Sequence, residues 1–231
     1  YTHLDSCFCY NTIIGSTIGN VTTNGKAYCA LWNVLIGANI MRCGWTTVSQ
    51  NYQCKLTYIG YQAGYAALCT TTAVGIGHQA AYCSCGGNSK IAIGYRANCA
   101  GRSNYSNVSL GDHADCAGYW TYRSISVGRS AASAGGYHCD FVGIGYYANN
   151  YSYVARYTTA VGAYAGYCNN YGYYNTFVGS CASYFGGRGG WNTFCHNTHI
   201  GFRAGAYTTV GYGGCNGKCN TYIGHNTRFY Y

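Results

Sequence analysis

Sixteen cysteines, seven histidines and four aspartates are the side chains with which this 231-residue chain could do chemistry. Hydrolytic or acid–base catalysis needs a nucleophile, a base and a group that orients the base. Asp5, Asp112, Asp115 and Asp140 are the whole carboxylate supply, because the chain contains no Glu, and no pair of them has a catalytic spacing. No enzymatic activity and no catalytic residue is expected. Cys83-x-Cys85 and Cys215-x3-Cys219 could each be half of a metal site. Zinc, however, takes four ligands at more regular spacing, and neither His78 nor His196 has a recurring partner. Loop cysteines are expected there, with no metal and no cofactor.

Read as a framework, sixteen cysteines point to an oxidising, extracellular setting. Cys99 and Cys116 are 17 residues apart, at equivalent positions of a repeat. Adjacent strands would bring their Cα atoms to about 4.8 Å, inside the range of a disulfide. The other reading is a column of small buried side chains, and it fits the remaining cysteines better, since they keep no register. The 29 tyrosines, among them Tyr61, Tyr95, Tyr146 and Tyr212, suit either an aromatic surface for sugars or partner chains, or rings stacked along one face. Asn20, Asn104, Asn107 and Asn150 begin N-x-S/T sequons, which become glycan acceptors in a secretory context.

Only 7% of the residues are charged, against about a quarter in an ordinary soluble domain, and Pro is absent. The formal charge of +9 would normally raise nucleic acid or an anionic surface as a partner. Arg96, Arg129, Arg156 and Arg203 fall at different places in the repeat and form no stripe, so nucleic acid is not expected as a partner. No run of about 18 apolar residues predicts a membrane span, and the N-terminus has no basic region followed by an apolar one.

What must position all these side chains is the repeat. Twelve times the chain writes a β-branched residue, a variable one, an aliphatic one and then Gly, at Gly15, Gly37, Gly60, Gly77, Gly94, Gly111, Gly128, Gly145, Gly162, Gly179, Gly201 and Gly224. The intervals are 22, 23, then 17 seven times, then 22 and 23. The aliphatic residue before each Gly and the Thr, Val or Ile three before it are two apart, so they share one face of a strand. That face is expected to point inward, with Ile91 and Ile93 buried and the variable residue between them outside. Gly then makes a tight corner. Ala follows three residues later in nine copies, at Ala63, Ala80, Ala97, Ala114, Ala131, Ala148, Ala165, Ala182 and Ala204, which predicts a narrow core. A second corner is expected at Ala100-Gly101, Ala117-Gly118 and Ala134-Gly135.

A unit this short cannot bury its apolar face alone and must stack on its neighbours. The fold class expected is all-β: a β-solenoid, or β-roll, of about twelve rungs, continuous over residues 1–231. Regular 17-residue rungs should occupy 60–179 and longer-loop rungs 15–60 and 179–224. Helix is excluded, because no stretch keeps a 3.6-residue period and Gly is everywhere.

"IAIGYRANCAG", "ISVGRSAASAG" and "TYIGYQAG" resemble the head repeats of trimeric autotransporter adhesins, and "NTFVG" and "NTYIG" are similar to repeats of phage and bacterial tail-fibre-like proteins. The resemblance implies a left-handed β-roll, three chains side by side, exposed on a cell or virion surface as an adhesive or structural shaft. Those head repeats run near 14 residues where these run 17. "IGYRAN" also resembles the hexapeptide unit of left-handed β-helix acyltransferases, but the next aliphatic positions of that pattern hold Cys99 and Tyr105, Cys116 and Tyr122, Ser133 and Cys139. An ice-binding face would need a Thr ladder on the outer face, and the variable position holds none.

The functional expectation is therefore an extracellular structural segment of a fibre or filament, non-enzymatic, an adhesin or appendage shaft, with copies of itself as partner, as a homotrimer or end to end, and surface glycans as a further partner. The alternatives are the acyltransferase and a carbohydrate-binding tail-fibre module. Both termini stop inside the pattern with no polar cap, which adds to the expectation of a continuous assembly.

Overall fold

A computed structural model describes residues 8–9, 12–17, 30–40, 53–65, 72–82, 89–99, 103–116, 120–133, 136–169, 171–185, 194–207 and 219–227. These residues are all-β, with no helix among them, and none therefore long and apolar enough to cross a membrane. A small sheet joins Phe8–Cys9, Ala30–Leu31 and Gln53–Cys54. The main sheet holds sixteen strands, all paired in parallel, and its longest path runs from Thr12–Ser16 to Thr221–Ile223 in sequence order. An open sheet of parallel strands, each beside the equivalent strand of the next repeat, is the arrangement of a β-solenoid.

Register is fixed by the repeat phrase itself. Val74 pairs with Ile91, Ile91 with Val108, Val108 with Ile125, and each corner glycine follows its strand at the same level as the next. Gly94 shows why no other residue stands there. Its φ is +132°, and a Cβ on it would meet the carbonyl oxygen of Gly111 at 2.5 Å. The glycines pack backbone on backbone, so a side chain would both strain the corner and push neighbouring turns apart.

The faces of the strands are the reverse of the expectation. In Lys90–Ile93 the side chains of Lys90 and Ala92 are buried and those of Ile91 and Ile93 are exposed. The same holds along the sheet. The variable residue points inward: Leu35, Tyr58, Ala92, Ser109, Ser126, Ala160, Phe177 and His199 are all buried, while Ile14, Ile93, Ile144, Val178, Ile200 and Ile223 are exposed. Period-two alternation correctly grouped the residues into two faces. It carries no information on which face is inside, and aliphatic character was a poor guide in a chain whose interior is so narrow.

The interior position varies because volume is balanced locally. Tyr58 fills space left by Gly64, where a Cβ would touch the ring at 2.5 Å, and by Gly75 in the following strand, where the distance would be 2.6 Å. Phe141 is matched by Gly143 at 2.7 Å and Phe177 by Gly166 at 3.0 Å, and His199 lies against Gly205. The narrow-core alanines, Ala63, Ala80, Ala97, Ala114, Ala131, Ala148, Ala165, Ala182 and Ala204, are fully buried beside them. Interiors packed at crystal-like density require such matching.

After each corner glycine from Gly60 to Gly201 the chain makes at least two left-handed steps, as at Arg96 (φ 52°) and Asn98 (φ 49°) or His113 (φ 55°) and Asp115 (φ 50°). Asn and Asp tolerate this region better than most residues. The second Ala-Gly corner, at Ala100-Gly101, Ala117-Gly118 and Ala134-Gly135, lies outside the described residues, as does most of each longer loop.

Candidate interaction face

The outward positions of the main sheet form two columns. One runs Val34, Thr57, Val74, Ile91, Val108, Ile125, Val142, Thr159, Thr176, Thr198, Thr221, each paired with the next, and the other holds Ile36, Ile59, Ile76, Ile93, Leu110, Val127, Ile144, Val161, Val178, Ile200 and Ile223. β-Branched side chains favour this pleated surface. Ile93, Ile144 and Ile200 each keep 39% of their surface exposed. No charged residue interrupts either column. With the faces exchanged, Thr does stand outward at Thr159, Thr176, Thr198 and Thr221, but Val74 to Val142 break the Thr column in the middle strands.

Aromatic and charged ladders border this face. Just past the corner glycines, Tyr61 stacks on His78 and His78 on Tyr95, each at 5.2 Å between ring centroids. The ladder continues in a different chemistry, with Asp112 near both His113 and Arg129, and Arg129 over the Tyr146 ring at 5.8 Å. Before the strands, Tyr157, Tyr174 and His196 stack at 4.7 and 4.9 Å, and Arg123 reaches Asp140 at 2.6 Å. Stacked rings, one of the two readings of the tyrosines, are thus present, and at exposed positions.

A second aromatic surface lies beyond the corners, where Tyr147, Tyr164, Tyr167, Tyr184, Phe185 and Tyr207 meet ring to ring. A cavity of about 200 Å³ opens there, lined by Tyr164, Cys181, Tyr184, Arg203, Ala206 and Tyr207. The Arg203 guanidinium lies over the Phe202 ring at 5.1 Å. Burial raises Tyr167 to about 12 and holds Tyr184 above its ordinary value, so both phenols stay neutral and able to donate.

The titratable groups Asp115, His138 and His199 lie inside the core. Asp115 is buried, its Oδ2 accepting from the Thr121 hydroxyl at 3.3 Å, and burial lifts its carboxyl to about 7 against the opposing pull of Thr121 and the Lys90 charge. Burial lowers His138 to about 4, with Nε2 donating to the Ser152 carbonyl at 3.0 Å, and lowers His199 to about 3. Among the described residues no three His, Cys or Asp gather as metal ligands; Cys83, Cys85 and Cys215 lie outside them.

The glycan acceptors need correction. Asn107 is buried, and its Nδ2 donates to Thr121 Oγ1 at 2.6 Å; buried Asn150 donates to the Ser130 carbonyl at 2.7 Å and to Ser133 Oγ at 2.8 Å. The nitrogen that a glycan would take is spent inside the fold at both. Asn104 lies in the strand Ser103–Tyr105 and Asn20 outside the described residues.

What the sequence reading missed is a role for Asn four before the glycine. The N–H of Asn197 donates to Asn175 Oδ1, the N–H of Asn220 to Asn197 Oδ1 and the N–H of Leu56 to Asn33 Oδ1, each at 2.9 Å. These amides satisfy backbone donors at the bend that leads into each strand, where the ladder has a gap. The signal was visible in "NVLIG", "NVSLG", "NTFVG", "NTHIG" and "NTYIG".

No family model, curated protein or solved structure matches this chain.

Proposed function

We propose that the chain is a segment of an extracellular fibre or filament that associates with copies of itself, most simply side by side as in an adhesin or appendage shaft. In this reading it is a β-solenoid of about twelve turns, 17 residues each over 60–179 and 22–23 residues near both ends. The observation that carries the proposal is the uncharged outward face of Ile, Val, Leu and Thr. Contiguous apolar surface of this kind marks an interaction site in a soluble protein. Covering it gains about 25 cal/mol per Å² of apolar area. The columns repeat at strand spacing, about 4.8 Å, and the partner that offers the same spacing over the same length is another copy.

The test is the oligomeric state by light scattering, for the wild type and for Ile93→Lys with Ile144→Lys. An oligomer that becomes a monomer with unchanged circular dichroism supports the proposal. A wild type that stays monomeric at every concentration, or an oligomer indifferent to both lysines, removes it.

A second reading, a carbohydrate-binding module, is favoured by the Tyr-lined cavity beside Arg203, since ring faces with a polar tip suit sugars. Calorimetric titration with acidic and neutral oligosaccharides would decide it. The binding should be lost in Tyr184→Ala.

A further inference from the structure

The turn position five residues after each corner glycine forms a column in which neighbouring turns touch. Tyr65 stacks on Tyr82 at 5.0 Å, Tyr167 on Tyr184 at 5.1 Å, and Asn150 Nδ2 donates to Ser133 Oγ at 2.8 Å. Cys99 and Cys116 are the pair of this column that lies between them in the sequence. Their turns are tied together just before the thiols: the His113 N–H donates to the Tyr95 carbonyl at 2.9 Å and the Asn98 N–H to the Ala114 carbonyl at 2.8 Å. The two thiols are hydrogen-bonded to each other, and the Arg96 side chain is hydrogen-bonded to Cys99.

We propose that Cys99 and Cys116 are a cross-turn dithiol that closes to a disulfide when a peroxide reaches it. The charge distribution suits this. The hydrogen bond from Cys116 draws Cys99 below the ordinary thiol value despite its burial, helped by Arg96 and His113, while the same hydrogen bond and burial raise Cys116. Of the two sulfurs, Cys99 is the one on which negative charge is favoured, and Cys116 is the one that keeps a proton.

The Cys99 thiolate attacks a peroxide oxygen; an S–O bond forms, the O–O bond breaks, and the departing hydroxide takes a proton to become water. The Cys116 sulfur then attacks the Cys99 sulfenic acid; the S–S bond forms, the S–O bond breaks, and the Cys116 proton leaves with the oxygen as a second water. Two thiols and one hydrogen peroxide give one disulfide and two waters. Hydrogen-bonded neighbouring turns of a parallel sheet lie about 4.8 Å apart, which is within what a disulfide accepts between Cα atoms. Self-association plays no part in this inference.

The experiment treats the reduced full chain with hydrogen peroxide, quenches it in acid, alkylates the remaining thiols and maps the peptides by mass. A linked peptide joining Cys99 to Cys116, two hydrogen masses lighter than the reduced pair, should form about tenfold faster than thiol is lost at Cys139, Cys168, Cys181 or Cys195. In Cys116→Ser a dimedone adduct should accumulate on Cys99 with no linked peptide. The proposal is overturned if Cys99 and Cys116 stay alkylatable while the other four are consumed. A Cys99 link to a different cysteine in the wild type, or a stable Cys99 sulfenic acid with Cys116 present, would overturn it equally, and both are read on the native sequence.

Discussion

Phe177 and Val178 are consecutive residues of one strand, the first fully buried and the second 37% exposed. The columns to which they belong follow opposite rules. Along the inner one, Tyr58, Gly75, Ala92, Ser109 and Phe177 have little in common, because large rings such as Tyr58 and Phe177 are each fitted to a glycine beside them. Along the outer one every residue is aliphatic or Thr, although Ile93, Ile144, Val178 and Ile200 stay exposed. Uniformity therefore lies on the face that the proposed partner copy would have to match turn by turn, and variety where the match is made within one or two turns.

Breaking the comparison at its strongest point gives the largest effect. Phe177→Ala should cost about 3–5 kcal/mol of folding stability, because it leaves a cavity in a column that cannot collapse, whereas Val178→Ser should stay within about 0.5 kcal/mol in the monomer. Urea titration of both variants measures the contrast. Comparable losses would mean that the faces are not distinct.

Asp115 sharpens the inner side. Its carboxyl is raised from 3.8 to about 7 in the folded chain, so the folded state binds the proton more tightly than the unfolded one. Its contribution is complete below about pH 4 and is lost as pH rises through 7. Asn keeps the side-chain shape and suits the left-handed backbone, as Asn98 and Asn149 do at equivalent positions. Asp115→Asn should thus leave stability unchanged at pH 4 and raise it at pH 8, by at most about 4 kcal/mol. His138 and His199, lowered to about 4 and 3, act in the other direction: their contribution is present above pH 6.5 and is lost on acidification. The difference between wild type and variant is therefore the quantity to follow, and a difference that does not grow with pH would refute the assignment.

Gly75→Ala should cost about 1–3 kcal/mol, since its methyl would meet the Tyr58 ring. Most of that cost should vanish in a Tyr58→Leu background. A double-mutant cycle with no coupling would show that the two sites do not share their space. The smallest effect is expected on the outside, at the exposed Arg123–Asp140 pair, where Asp140→Asn should change stability by less than about 1 kcal/mol.

Much of this arrangement was legible in the sequence, and the part that was not has a physical reason. The glycine interval gave the parallel register, because a corner that packs backbone on backbone admits one residue type, and the alanines marked the tight interior for the same steric reason. Ile91 and Ile93 were placed inside on the assumption that aliphatic means buried, which fails where each strand offers the interior few positions, filled by Ala92 or Ser109 in the middle strands and by a ring such as Tyr58 or Phe177 only where a glycine makes room. The pairing of Tyr58 with Gly64, six positions apart, or of His199 with Gly205 was the sign that the variable residue points inward. The sequons at Asn107 and Asn150 misled because a tripeptide pattern is blind to burial. The asparagine bends were in view as "NTFVG" and "NTYIG" and were read for their glycine and their likeness to tail-fibre repeats.

The fitting of Tyr58 to Gly64 in its own turn and to Gly75 in the next sets a rule for how such a chain can lengthen or shorten over generations. A single turn excised or duplicated at random would lay an aromatic ring against a residue with a side chain, and the two would collide. Gains and losses that preserve the fold must move matched neighbours together, so the unit of inheritance is larger than the unit of structure.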